Sequence, residues 1–155
     1  MNYWLLKTEP SAYSVDDLEK ETTTLWSGIR NYQARNYMRD SMSIGDICFI
    51  YHSNCKEIGV VGSARVARTH IPDPTQFDPQ SDYFDPKSTK ENPPWICVEV
   101  SFEEEFPMTI TLSMLKNHSY LKDMVVCQKG SRLSITPVLA KHAEVLQKLA
   151  VSCTF

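Results

Sequence analysis

The sequence predicts an α+β domain: a small, curved, mixed β-barrel with helices flanking it. Two observations point there. Short strand-like runs recur along most of the chain, with helical patterns between only some of them. The regular βαβ alternation that builds a parallel sheet is missing. At 155 residues the chain fits one domain with a real core.

The elements follow in order. Tyr3 to Lys7 is apolar enough for a first strand, stopped at Glu9-Pro10. Ser14 followed three residues later by Asp17 marks a helix start, and the acids there suit the positive end of the helix dipole. Thr22 to Leu25 extend toward Trp26. Asn31 is the expected N-cap of a helix reaching about Met42, with Ala34, Tyr37, Met38 and Ser41 on one face and Arg35 and Arg39 on the other. Ser43 to Asp46 form a turn, Ile47 to Tyr51 a buried strand, and Gly59 to Arg68 the next, with Gly62 at a bulge or close approach. Residues 71–94 form a long loop whose six prolines and three aromatics predict an ordered flap. Trp95 to Phe102 alternates, with Ile96, Val98, Val100 and Phe102 on one face and Trp95 opposite, and Glu103 to Glu105 mark its exit. A short helix over Thr111–Asn117, a strand over Leu133–Thr136 and a helix over Ala140–Ala150 complete the chain; Leu139, Ala143, Leu146 and Ala150 form the last buried stripe.

Composition excludes several functions. A net charge of −3 argues against charge-driven binding to nucleic acid or membranes over the whole surface, so any such contact needs a local basic patch. Five scattered cysteines, with no Cys-x-x-Cys pair, fit reduced thiols rather than a disulfide frame. The four histidines are equally scattered, so no metal is expected, and no cofactor motif occurs. The apolar start is cut by Lys7 and Glu9, leaving neither signal peptide nor membrane span. The expectation is a cytoplasmic monomer, nuclear if its source has a nucleus.

The candidate chemistry gathers around Trp26. A tryptophan in a polar turn beside Ser27 and Gly28 can stack on a base, although burial in a core is the commoner fate of tryptophan. Trp95 sits opposite the aliphatic face of its strand, whereas Trp4 beside Leu5 and Leu6 reads as core. Lys7-Thr8-Glu9 is either a solvated strand end, a ligand-binding edge or a catalytic cluster; successive strand residues point to opposite faces, which counts against the last. Arg30, Arg35 and Arg39, with Lys129 and Arg132 later in the chain, form a candidate phosphate-binding strip or a solvated face. Asp85 is either a turn residue or an acceptor for an exocyclic amine.

Several motifs carry a resemblance. Tyr3-Trp4-Leu5-Leu6-Lys7-Thr8-Glu9-Pro10, Trp26-Ser27-Gly28-Ile29-Arg30-Asn31-Tyr32-Gln33-Ala34-Arg35-Asn36, Phe49-Ile50-Tyr51-His52-Ser53, Pro72-Asp73-Pro74-Thr75, Tyr83-Phe84-Asp85-Pro86-Lys87 and Gln128-Lys129-Gly130-Ser131-Arg132-Leu133-Ser134 are similar to those of the EVE domain. The resemblance spans the chain and implies a PUA-like fold, related to the YTH domains that read a methylated adenine. It implies a non-enzymatic reader of a modified base, with modified cytosine in DNA favoured over RNA. By position, Trp26-Ser27 resembles the pocket wall and Lys7-Thr8 the strand end facing it. Asn31 and Tyr51-His52-Ser53 would supply hydrogen-bonding walls, with Asp85 and Trp95 nearby. Two departures stand out: the chain starts at the domain without a basic leader, and its last helix starts Leu139-Ala140-Lys141 where relatives carry a threonine cap and acids. The distantly similar ASCH domains, which include amidohydrolases acting on acylated cytidine through Lys, Thr and Glu, supply an enzymatic alternative. A protein-interaction module is the third.

Overall fold

A computed structural model describes residues 1–152; Cys153, one of the five cysteines, lies outside them, and the other four are free thiols. Six strands form one mixed sheet: β1 (Tyr3–Thr8), β2 (Thr23–Leu25), β3 (Ile47–His52), β4 (Gly59–Pro72), β5 (Ile96–Thr111) and β6 (Ile135–Val138). Their order across the sheet is β2-β5-β4-β3-β1-β6. Only β1 and β3 run parallel; the other neighbours are antiparallel. The edges β2 and β6 are not paired to each other, so the barrel remains an open, curved sheet, as the PUA-like fold requires.

Alternation along the central strands builds two cores. Trp4, Leu6, Cys48 and Ile50 face one side, with Val15, Leu18, Trp26, Ala34 and Met38 packed over them. Leu5, Phe49 and Tyr51 face the other, covered by Leu115, Leu121 and the last helix. Helix α1 (Val15–Glu21) opens with the expected capping box: the Asp17 N–H donates to Ser14 Oγ and the Ser14 N–H donates back to the Asp17 carboxylate. A short helix, α3 (Leu112–Asn117), follows β5, and α4 (Ala140–Ser152) ends the described chain.

Five expectations change. Strand β4 runs past Arg68 to Pro72, because Ile71 and Pro72 pair with Cys97 and Ile96 of β5, so the long loop starts later than expected. The helix after Asn31 is α-helical only over α2 (Tyr32–Asn36) and continues as a π turn over Tyr37–Ser41, closed by the Met42 N–H donating to the Tyr37 carbonyl. The wider turn rotates Met42 into the core and leaves Ser41 in solvent, where a 3.6-residue wheel puts Ser41 inside. Strand β5 begins at Ile96 and runs through the acids Glu103–Glu105 instead of ending there, because its far half pairs with the start of β4. That pairing brings the strands so close that a Cβ on Gly62 would lie 2.4 Å from the Glu104 carbonyl oxygen. Strand β6 is shifted to Ile135–Val138; Pro137 is accommodated because β6 is an edge. Leu139, expected on the buried stripe, is 58% exposed, since it precedes α4 and its carbonyl accepts from His142 and Ala143.

Candidate functional site

The cleft forms where the curved sheet nearly meets itself. Thr24 to Trp26, at the end of edge strand β2, and Lys7 to Glu9, at the end of β1, line one cavity of about 440 Å³. In a flat sheet those strands would be four spacings, roughly 20 Å, apart. Curvature therefore makes the site, with Tyr13 from the β1–α1 connection filling one wall and Tyr83 from the flap standing at another.

Trp26 bridges core and cleft. Its backbone N–H donates to the Val98 carbonyl (2.8 Å), the residue is 7% exposed, and its ring stands edge-on to Tyr13 at 6.1 Å. It belongs to the first core and still lines the opening. The Tyr13 hydroxyl is buried close to Thr24 and Glu21 without a hydrogen bond of ordinary geometry among the described residues, and burial, the largest cause, pushes its pKa up to about 12. It is thus a neutral donor and acceptor at any physiological pH.

The turn after Trp26 is fixed by a buried acid. The Gly28 N–H donates to Asp73 Oδ2 (2.8 Å) and Arg30 pairs with the same oxygen (3.1 Å), while the Thr75 N–H donates to Oδ1 (2.8 Å). Arg30 also donates to the Tyr83, Ile29 and Thr75 oxygens, so each of its five N–H groups is engaged inside the fold. Gly28 has φ of +82°, and a Cβ there would lie 2.8 Å from the Tyr83 ring. Loop and flap are therefore fastened together at the mouth of the cleft.

Of the ten expected base-pocket residues, Lys7, Thr8, Trp26 and Ser27 line the cleft. Burial lowers the Lys7 pKa, and its Nζ sits 5.8 Å from the Tyr51 ring. Thr8 Oγ1 donates to the Tyr13 carbonyl and Glu9 accepts from Asn54, so Lys7, Thr8 and Glu9 point to three separate partners. Tyr51, His52 and Ser53 lie behind β1 rather than in the lining. Tyr51 packs in the second core, His52 Nε2 accepts from the Val15 N–H, and the Ser53 N–H donates to the Thr8 carbonyl. Burial lowers the His52 pKa. Asn31 caps α2, its side chain accepting from the Ala34 N–H. Trp95 and Asp85 bond to each other at 2.9 Å beneath the flap, and that bond holds the Asp85 pKa below the ordinary carboxylate range.

Among the expected phosphate ligands, Arg39 pairs with Asp40 in solvent, and Arg35 lies beside the Tyr32 and Trp95 rings. Lys129 and Arg132 are exposed on the segment leading to Ser134, whose carbonyl accepts from the Lys7 N–H; that places them toward the cleft end of the sheet. The sequence reading missed Tyr13, Asp73 and Tyr83. Asp73 lies in the quoted Pro72-Asp73-Pro74-Thr75 motif, and that was the signal available for it.

An open, curved mixed sheet with a cleft at its seam defines a PUA-like domain. The EVE domain family profile matches residues 2–149. Thymocyte nuclear protein 1 of Gallus gallus is 39% identical over 166 residues, covering 95% of this chain and 68% of the relative. A hypothetical protein from Leishmania major is 43% identical with a TM-score of 0.94, over 100% of this chain and 98% of that one. Human THYN1, crystallised in complex with 5-methylcytosine-containing DNA, is 36% identical with a TM-score of 0.89, over 97% and 98%. The chain belongs to the EVE domain family.

Proposed function

We propose that this domain binds nucleic acid without catalysis, taking one modified base, a modified cytosine in DNA, out of its stack and into the cleft beside Trp26. The observation that carries this reading is the cleft itself: an indole edge, a polar turn and two phenols around an opening of about 440 Å³, a volume suited to a small flat ligand. The human relative crystallised with methylated DNA supports the choice of ligand. The base slides against Trp26, Ser27 and the Tyr13 hydroxyl meet its polar edge, and Lys129 and Arg132 hold flanking phosphates.

Magnitudes decide what such a site can discriminate. Extruding a base costs a few kcal/mol, and stacking returns about 1–3 kcal/mol per base. One buried methyl contributes about 0.8 kcal/mol, only a few-fold preference. Stronger selectivity needs a polar contact or a clash with the unmodified base. The enzymatic reading is the weaker one: Lys7, Thr8 and Glu9 all line the cleft, but their side chains engage separate neighbours rather than one another.

The test is an anisotropy panel of matched oligonucleotides differing in one cytosine modification. The expected result is tighter binding to one modified strand, weakened about tenfold or more in Tyr83→Ala and Trp26→Ala. Trp26 is also core, so Tyr83→Ala, an exposed substitution, keeps the test valid if the tryptophan variant unfolds. Equal affinity for all strands sinks the proposal. Turnover of N4-acetylcytidine that disappears in Lys7→Ala would favour the enzyme instead.

A further inference from the structure

Outside the cleft, the flap side of the molecule carries a ladder of rings and guanidinium groups. Tyr32 stacks on Trp95 with ring centroids 4.9 Å apart and planes 16° from parallel. Trp95 is 6% exposed, yet Tyr32 above it is 62% exposed, so the stack presents one ring to solvent. The Arg35 guanidinium lies 4.9 Å from the Tyr32 centroid. It donates to the Pro94 carbonyl and the Asn36 side chain, both neutral, and no carboxylate lies within ion-pair range of it among the described residues. Its positive charge is therefore held without a contact ion pair beside an exposed aromatic face, with Asp40 the acid that acts on it from farther off.

The ladder leads to the cleft. The Arg30 guanidinium sits 5.0 Å from the Trp95 ring and 5.7 Å from the Tyr83 ring, and Tyr83 lines the opening. Three short steps thus join the cleft to Tyr32, a span that a few nucleotides of single strand can bridge. A rigid exposed ring with a cation at its edge that makes no contact ion pair is the combination that binds unpaired bases without regard to sequence.

We infer that Tyr32 is a second stacking site: an unpaired nucleobase flanking the one in the cleft lies on its outer face, with Arg35 at the adjoining phosphate. This rests on the base-reading function proposed above. Tyr32 makes affinity depend on strand context, while the cleft sets which base is read.

The test removes the flanking bases rather than the strand. Five-nucleotide single strands carrying the preferred modified cytosine at the centre are compared with the same strands abasic at the flanks. The wild-type chain is expected to lose affinity by about 5- to 150-fold when the stacked flank becomes abasic. Tyr32→Ala is expected to bind the full strand as weakly as the abasic one, and Tyr32→Trp to restore the difference. A 5-iodouracil placed at the flank is expected to photo-crosslink to Tyr32, a readout independent of any loss of folding. Flank dependence that persists in Tyr32→Ala, or is absent in the wild type, overturns the inference and leaves the cleft reading standing. Failure of the wild type to prefer any modified strand overturns both.

Discussion

Asp73 shows how much of this site depends on one residue. Only 2% exposed, it gives Oδ2 to the Trp26 loop, through Gly28 and Arg30, and Oδ1 to the flap, through Thr75. A buried carboxylate is tolerable only with such partners, and removing it strands the donors that faced it. Asp73→Ala should destabilise the fold by about 2–3 kcal/mol in denaturant titration. Gly28→Ala attacks the same junction by strain, since alanine at positive φ is unfavourable and its methyl would push Tyr83 aside. It should cost about 1–2 kcal/mol and weaken binding of the modified strand, measured by the same titration and by anisotropy.

Among the elements, β5 and α1 carry an electrostatic cost. Their carboxylates Asp16, Glu19 and Glu105 approach within 4.8 Å of one another. Desolvation first, then Asp16 and Glu19, raises the Glu105 pKa from 4.5 to about 6. A raised folded-state value means the native chain holds that proton to higher pH than the unfolded chain. This contribution to stability is greatest below pH 4.5 and is lost as pH rises through about 6. Glu105→Gln should therefore flatten the pH dependence of Tm between those values and raise Tm at pH 7 by about 1–2 °C. A variant whose Tm follows pH as the wild type does would refute this assignment. The π turn after α2 is another element-level device. By widening one turn it buries Met42 in the same core as Met38, which anchors the C-terminal end of the helical segment that presents Tyr32 and Arg35.

At the scale of the molecule, an acidic chain must bind a polyanion through a few cations. The net charge is −3, Arg30 is engaged inside the fold, and Arg39 is paired with Asp40 at the surface. If Arg35, Lys129 and Arg132 neutralise three phosphates of a single strand, the logarithm of affinity should fall with the logarithm of salt at a slope of about −2.1. Replacing Lys129 and Arg132 by alanine should reduce that slope to about −0.7, the part left to Arg35, while the preference for the modified base persists. A wild-type slope several times steeper would mean a broad electrostatic surface that this charge distribution does not offer.

Local chemistry made many of the elements legible from sequence. Ser14 and Asp17 are near neighbours and form their capping box without help, Asn31 caps its helix likewise, and the continuous apolar run Ile47–Tyr51 and the alternation of Ile96–Val100 fix strands wherever they pack. Gly62 announced a close approach because only glycine leaves room for one. The π turn, the run of β5 through three acids and the two-residue shift of β6 depend on partners 40 or more residues away or on packing beneath the helix, so periodicity alone could not supply them. The site divides in the same way. The polar turn around Trp26 was visible, but its neighbours Lys7, Tyr13 and Tyr83 come from other parts of the chain. They meet only because the sheet curves, and Arg30 faces inward only because Asp73, distant in sequence, is buried opposite it. Sequence determined the pieces and their local geometry; curvature and long-range pairing decided which of them share a cavity.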